Sequence, residues 1–146
     1  MRHALPVFAL LATSAALAHA TVKTDAGQSE RRAGKYETSR LQGPTEQDQP
    51  TGRVRLFIPE GLTVANFMPL SGFLRTVERG ADGRISAVTW TGQIKPEEFQ
   101  RFLFSARNPA QGGSLRWAVE QTYAHGSVVR WDDRSPEHPV GTTTVK

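Results

Sequence analysis

One histidine of this sequence stands where a signal peptidase would make it the first residue of a chain. Ala16-Leu17-Ala18 forms an A-x-A pattern at the end of an apolar leader, and His19 follows it directly. A cut after Ala18 would give His19 a free α-amino nitrogen, which could chelate one metal ion together with the ring Nδ1. The amine can lose its proton near neutral pH because its ordinary pKa is about 7.7 to 8.0. Such a pair of nitrogen donors favours Cu(II) over the other common divalent ions.

The leader has the features of a secretory signal peptide, which we assign to residues 1–18. A basic start is followed by a mostly apolar run, residues 4–17, that is too short to span a membrane. A second A-x-A pattern, Ala18-His19-Ala20, overlaps the first, and a cut there would discard His19. With the first cut, residues 19–146 are long enough for a single domain with its own core. The mature protein is then expected in the periplasm or outside the cell.

The composition limits the chemistry that the chain can perform. It contains no cysteine, which excludes disulfide bonds and thiolate metal sites, so any metal must be held by nitrogen and oxygen donors. The formal charge at pH 7 is +4, but the basic residues are scattered, and we expect no nucleic-acid partner. No stretch after the leader is apolar enough to serve as a membrane anchor. No catalytic triad order, phosphate-binding loop or paired-carboxylate motif stands out, so we expect that the protein is not an enzyme.

Alternating apolar and polar residues predict an all-β fold. The segment 53–58 places three aliphatic side chains on one face, and the clearest alternation runs from Leu115 to Tyr123, which predicts one long core strand. Asp82-Gly83 is a hairpin signal between two further strands. Short strands at regular spacing indicate an antiparallel β-sandwich, Ig-like or cupredoxin-like, of about seven to nine strands. An OB-type barrel is the competing architecture.

A tight turn at His125-Gly126 predicts how two of the later strands pair. A two-residue loop would place Glu120 opposite Trp131, and directly opposed residues share a face of the sheet. Trp131 is therefore expected on the polar side of the hairpin, whereas Trp117 on the apolar side is expected in the core. This leaves Trp131 available for a functional role.

Short motifs spread over nearly the whole mature chain carry a resemblance to a known family. In their order and spacing they resemble the YcnI-like family of exported bacterial copper-binding domains. The motifs are His-x-Thr-Val-Lys from His19, Tyr36-Glu37-Thr38, Pro44-Thr45-Glu46, Arg53-Val54-Arg55-Leu56, Pro59-Glu60-Gly61, Val88-Thr89-Trp90-Thr91-Gly92, Glu98-Phe99-Gln100, Phe104-Ser105-Ala106-Arg107, Tyr123 and Val129-Arg130-Trp131. Gly43 and Phe73 depart from the family pattern, which often has a bulky apolar residue and a tryptophan there, but neither touches the proposed ligands.

The resemblance implies a β-sandwich that handles copper in the cell envelope. It implies one Cu(II) per chain, held in a brace built on a single N-terminal histidine with a glutamate and a tryptophan beside it. By position these roles fall on His19 and Glu46 as metal ligands and on Trp131 as a shield. A carboxylate would offset the Cu(II) charge, while the indole nitrogen has no free lone pair to offer. The implied function is copper homeostasis as a carrier, buffer or metallochaperone, with other copper-handling envelope proteins as partners.

Three other interpretations stay open at the level of sequence. CopC-like copper carriers also use an N-terminal histidine and add a later one near an acidic residue, which Glu137-His138 could supply. Oxidative cleavage of polysaccharides would need a second histidine at the copper, from His125 or His138, and a broad substrate face. A non-metal interaction module of the envelope would use its sheet edges to bind a partner. Metal titration separates this last class from a copper-binding protein.

Overall fold

Twelve β-strands make up the regular structure of the computed structural model, which describes residues 19–146. The predicted signal peptide lies outside the described residues. Residues 19–146 contain no helix, and so none that is long and apolar enough to cross a membrane. The strands are β1 (Thr21–Thr24), β2 (Glu30–Arg31), β3 (Tyr36–Pro44), β4 (Thr51–Phe57), β5 (Thr63–Phe67), β6 (Leu74–Arg79), β7 (Ile85–Ile94), β8 (Phe99–Arg107), β9 (Gly113–Trp117), β10 (Val119–Tyr123), β11 (Val128–Trp131) and β12 (Gly141–Val145).

The strands form three sheets, with the orders β1-β3-β8-β5, β11-β10-β4-β7-β6 and β2-β12-β9. The pairs are antiparallel except for the short parallel pair β2 and β12. The predicted antiparallel β-sandwich is confirmed. There are more strands than the seven to nine expected, because short strands such as β2 escape a pattern search and one predicted strand is divided.

The four-stranded and five-stranded sheets face each other across one apolar core. Trp90 of β7 stacks on Phe102 of β8 with the ring centroids 4.6 Å apart, which joins the two sheets directly. Trp117 is also fully buried, as expected. Burying an apolar side chain of this kind contributes about 1.5–3 kcal/mol relative to leaving it exposed. Packing alone can therefore hold a chain that has no disulfide bond.

The long core strand predicted from Leu115 to Tyr123 is wrong in one respect, because it divides at Ala118 into β9 and β10. The strand β9 pairs with β12, whereas β10 pairs with β4 and β11 in another sheet. The carbonyl of Ala118 accepts a hydrogen bond from Phe57 N at 3.0 Å, so the corner is itself tied to the sandwich. Strands that switch sheets at such corners are common in sandwiches. Both halves face the core, so the alternation of buried residues continues through the corner and does not reveal it.

The predicted register of the β10–β11 hairpin is also wrong, by one residue. Trp131 pairs with Val119 rather than with Glu120. The loop has three residues, 124–126, closed by a hydrogen bond of 2.9 Å from Tyr123 N to Ser127 O. The last residue of such a three-residue loop adopts a left-handed backbone conformation, and here it is Gly126, with a φ of 96°. A one-residue shift moves every side chain to the other face, so Trp131 points into the core and is 1% exposed.

A buried arginine connects β2 to the sandwich. The Nε of Arg31 donates to Asn108 Oδ1 at 2.8 Å, and its Nη2 donates to Ser39 Oγ at 2.6 Å. The guanidinium carbon lies 5.5 Å from the centre of the Trp117 ring. Burial lowers the pKa of Arg31, and the negative charge of Glu37 opposes this shift. The buried Nη1 has no hydrogen-bond partner among the residues that the structure describes.

Asn108 links this guanidinium to a carboxylate. Its Nδ2 donates to Glu37 Oε2 at 2.6 Å and to the carbonyl of Arg32 at 2.9 Å. Burial raises the pKa of Glu37, but hydrogen bonds from Asn108 and Arg32 outweigh it, and the net shift is downward. One amide side chain thus pairs with a buried cation through its oxygen and with a half-buried anion through its nitrogen.

Candidate metal centre

The three residues predicted for a metal site lie at the same edge of the sandwich. His19 lies two residues before the start of β1, Glu46 lies in the β3–β4 loop, and Trp131 is the last residue of β11. The rings of His19 and Trp131 have centroids 5.7 Å apart and planes inclined at 41°. The strands β1 and β11 are edge strands of the two facing sheets. The contact between His19 and Trp131 therefore connects the two sheets at this edge.

The pairing of β1 with β3 explains why His19 and Glu46 lie close together. The register is antiparallel, with Thr21 opposite Gln42. Two further residues along the same register bring His19 opposite Pro44, which is two residues before Glu46. The β3–β4 loop therefore starts beside the predicted mature terminus.

Hydrogen bonds hold the β3–β4 loop on both sides of Glu46. The backbone N of Glu46 donates to the Tyr123 hydroxyl at 3.3 Å. Before it, the Thr45 hydroxyl shares a hydrogen bond of 3.0 Å with the Thr51 hydroxyl. After it, the Ser127 hydroxyl donates to Gln47 Oε1 at 3.4 Å. Glu46 is an exposed residue whose carboxyl group is partly shielded from water by its surroundings, so a fixed backbone presents this group at the surface.

The electrostatics at Glu46 favour a cation. Burial raises the pKa of its carboxyl group, and the charges of His138 and His19 partly oppose that shift. A raised pKa means that ionising the carboxyl group costs more free energy in the protein than in water. A nearby cation stabilises the ionised form and offsets this cost. A metal ion bound nearby would therefore stabilise the ionised form of Glu46.

Trp131 forms an apolar wall of the site from the core side. Its Nε1 donates to Gln121 Oε1 at 3.4 Å, so this nitrogen is occupied as a donor. Gln121 Nε2 in turn donates to the Thr51 hydroxyl at 2.6 Å, and Thr51 bonds to Thr45. This chain of buried and partly buried hydrogen bonds joins Trp131 to Thr45, the residue before Glu46. Trp131 contacts His19 from the buried face of the sheet, whereas the sequence placed it on the polar face.

A second histidine contacts the same tryptophan. The His138 ring lies edge-on to Trp131, with centroids 4.8 Å apart and planes at 89°. It is half-buried in the β11–β12 loop, residues 132–140, and its charge acts on Glu46. In the sequence, His138 is a candidate ligand only for the CopC-like alternative, through its acidic neighbour Glu137. His125 lies instead against Tyr123, with ring centroids 6.1 Å apart.

The donors present fit a nitrogen and oxygen site that depends on the chain terminus. No three His, Asp or Glu side chains within residues 19–146 are close enough to enclose a metal ion. The full chain also keeps the His19 nitrogen as an amide, because a peptide bond joins it to Ala18. Cleavage after Ala18 would turn this nitrogen into an amine beside the His19 ring. The charge of that ring already acts on the Glu46 carboxyl group. Imidazole, amine and carboxylate form a donor set suited to Cu(II).

Comparisons with known proteins add evidence that does not depend on this geometry. A family model described as a domain of unknown function, DUF1775, matches residues 19–144. The chain is 32% identical over 140 residues to the copper-binding protein CutI of Bacillus subtilis (strain 168). This match covers 93% of the chain but 66% of CutI, so the chain spans just under two thirds of that relative.

Solved structures share the fold. A protein from Nocardia farcinica whose crystal structure reveals an immunoglobulin-like fold matches with a TM-score of 0.74 at 27% identity, over 87% of this chain and 97% of that one. A cohesin module from a Clostridium perfringens family 33 glycoside hydrolase matches with a TM-score of 0.61 at 11% identity, over 88% and 94% of the two chains. The cohesin likeness concerns the fold alone. The predicted Ig-like fold class is confirmed.

Proposed function

The chain belongs to the DUF1775 family, and from that premise we propose that it is an exported Cu(II)-binding protein of copper homeostasis. The juxtaposition of His19 with Trp131 and Glu46 carries the proposal. The similarity to CutI, a copper-binding protein, supports copper as the ion. The role is that of a carrier, buffer or metallochaperone in the periplasm, and not that of an enzyme.

Each residue has a distinct part in this proposal. His19, as the first residue after cleavage, offers its amine and its ring Nδ1 to one Cu(II). Glu46 adds a carboxylate oxygen that offsets the charge of the ion. Trp131 limits access of water and other ligands to one side of the site, because its ring is fixed by packing and by Gln121. A site with one open side suits a protein that must pass its metal on to other copper-handling proteins of the envelope.

The state of the N-terminus provides the direct test. We expect intact-mass analysis of the exported protein to show His19 as its first residue. We expect one Cu(II) per chain to bind to this form, and a form with its α-amine blocked by acetylation to lose at least about 90% of its affinity, since even outer-shell partners cost 10–100-fold. Competition titration measures both affinities.

The blocked form must not create a new Cu(II) site. An N-terminal extension of one or two residues is unsuitable, because a histidine at the second or third position of a chain chelates Cu(II) by itself through the amine and the intervening amide nitrogens. An uncleaved leader or a long extension avoids this. A mature protein that begins at Thr21, or equal affinities for the free and blocked forms, would contradict the proposal.

Trp131 provides an optical readout of the same site. Cu(II) is a paramagnetic quencher, so we expect it to reduce the tryptophan fluorescence of the mature protein. A Trp131→Phe change should remove most of that response, because Trp131 is the indole in contact with His19. Trp90 and Trp117 stay in the variant as internal reporters of the folded core. Undiminished quenching in the Trp131→Phe protein would place the copper away from this ring.

A further inference from the structure

We propose that the outer face of the four-stranded sheet β1-β3-β8-β5 is a docking surface for an acidic segment of a partner protein. In the described part of these strands, the face carries four basic side chains, an apolar groove and no acidic side chain. The surface is inferred from these residues alone. The role of the partner in giving or taking copper rests on the proposed function.

The alternation along the strands determines which side chains face outward. On β8 the side chains of Phe102, Phe104 and Ala106 are buried in the core, so the residues between them face away from it. The same alternation on β1 and β3 turns Lys23 and Arg40 outward, as register partners. The basic residues of the face are Lys23, Arg40, Arg101 and Arg107. This outer face is therefore positive over all its described length.

Uncharged oxygen atoms, and not carboxylates, hold the three arginines of this face. The hydrogen bonds run from Arg40 Nη1 to Asp25 O at 2.8 Å, from Arg101 Nε to Gln42 Oε1 at 2.8 Å and from Arg107 Nε to Gly34 O at 3.3 Å. None of the four basic residues belongs to a salt bridge within residues 19–146. On the five-stranded sheet, by contrast, Arg55 pairs with both Glu78 and Glu120. The guanidinium groups of the positive face are thus positioned, but their charge is left for an anion from outside.

An apolar groove lies within this positive face. It has a volume of about 280 Å³, and its walls include Phe67, Met68 and Leu103. Met68 is 49% exposed, and Leu103 is the register partner of Arg40. An apolar centre with a polar rim is the usual anatomy of a protein interface. A groove takes an apolar side chain from a partner, whereas binding to a membrane surface needs apolar side chains that project from the protein.

The size of the face indicates a transient contact. Four strands span about 19 Å, and β8, with 9 residues, is about 30 Å long, so the face covers at most about 570 Å². The two partners together would then bury about 1,100 Å², which lies in the range of weak and transient complexes. An obligate dimer of this chain would need a larger interface. A short-lived contact suits a protein that passes its metal on.

One end of the face adjoins the candidate metal centre. The strand β1 begins two residues after His19. Phe99, the first residue of β8, pairs with Pro44, which is two residues before Glu46. Phe99 is 59% exposed, and the guanidinium carbon of Arg101 lies 5.8 Å from the centre of its ring. A partner docked on this face would therefore lie beside the proposed copper site.

An acidic peptide tests this surface directly. The probe is a short peptide of glutamate and aspartate around one central leucine, titrated into the metal-free mature protein and followed by heteronuclear NMR. We expect the amide signals of β3 and β8 to shift, and the affinity to fall as salt screens the charges. A peptide with serine in place of the leucine should bind more weakly, because the groove loses its apolar occupant. Shifts confined to the five-stranded sheet would overturn the proposal.

Arg101→Glu and Arg53→Glu form a matched pair of variants. Both change the net charge equally, but Arg53 is exposed on the outer face of the other sheet. We expect Arg101→Glu to lower the affinity for the peptide by at least about tenfold, because like charges that face each other across an interface are penalised. Arg53→Glu should stay within about twofold, because the two sheets lie about 10 Å apart and salt screens charges beyond that distance. Thermal unfolding checks that both variants are folded, and equal affinities in the two would overturn the proposal.

Other occupants of the face give different results. Binding to vesicles that contain phosphatidylglycerol, without binding to the peptide, would overturn the proposal in favour of a membrane surface. Self-association that Arg101→Glu abolishes, measured by analytical ultracentrifugation, would overturn it in favour of a second copy of the chain. Because the peptide is titrated into metal-free protein, failure of the surface and failure of the proposed function are distinguishable. Absent peptide binding with intact Cu(II) binding overturns the surface alone, whereas a mature protein that binds the peptide but no Cu(II) overturns the proposed function alone.

Discussion

A His19→Ala change in the mature protein should abolish high-affinity Cu(II) binding. The variant keeps a free α-amine and an unaltered Glu46, but it lacks the ring nitrogen that closes the chelate. We expect the affinity to fall by more than about 100-fold, the upper end of the loss caused by outer-shell partners alone. Competition titration against a chromophoric chelator measures the change. Intact mass must first show that the leader is still removed after Ala18, because the residue behind the cut has changed.

Glu46→Gln provides the graded comparison for that experiment. It keeps the chelate of His19 and the shape of the loop, but it removes the negative charge. We therefore expect an affinity between those of the unmodified protein and His19→Ala. The loop should remain in place, because its hydrogen bonds run through the backbone of Glu46 and the side chain of Thr45. Unmodified affinity in His19→Ala would show that the copper is held elsewhere.

Much of this architecture follows from local patterns. The alternation in segment 53–58 corresponds to β4, whose Val54 and Leu56 are buried as predicted. The Asp82-Gly83 signal lies between β6 and β7, which pair as a hairpin. These features could be predicted because one buried face and one turn residue are enough to specify them.

The errors arose where two structures share one pattern. The corner at Ala118 keeps the same residues buried on both sides, so a single strand and a divided strand look alike in the sequence. The loop at His125-Gly126 fits either two or three residues, and the choice decides which face Trp131 occupies. Trp131 reaches His19 because the edges of two sheets meet, and no local pattern contains that information.

The position of His138 beside Trp131 could not be predicted from local sequence either. Its neighbours, Glu137 and Pro139, indicate a polar loop, and Glu137 also allows the CopC-like alternative. Its contact with Trp131 depends on the hydrogen bond from Val140 N to the Asp133 carboxylate and on the close approach of Gly141 to Ala20. Candidate ligands that lie in loops can be proposed from residue type, but only the packed structure can bring them together.

Arg31 was not predicted at all, and it leads to the largest expected effect on stability. In the sequence it stands beside Arg32 in a polar stretch, where an arginine is normally solvated. In the fold it is 1% exposed, and Asn108 accepts the hydrogen bond from its Nε. A buried charge that loses a partner retains the cost of its desolvation.

An Asn108→Ala change should therefore lower the free energy of unfolding by about 3 kcal/mol, because it leaves a second nitrogen of the buried guanidinium without a partner. The change also removes the hydrogen bonds to Glu37 and to the carbonyl of Arg32. The corresponding fall in Tm is about 10 °C for a chain of this size. Urea denaturation and thermal unfolding of the metal-free protein measure these quantities.

A double-mutant cycle with Arg31→Met identifies the cause. Methionine fills much of the same space without a charge, and replacing a buried ion by an apolar residue of similar volume is often nearly neutral. If Asn108 stabilises the fold mainly by pairing the guanidinium, then Asn108→Ala should cost at least about 1.5 kcal/mol less in the Arg31→Met background, within the range that contacting residues show. Additive costs would mean instead that Asn108 acts through Glu37 and the backbone of Arg32, and that the fold tolerates the buried charge without it.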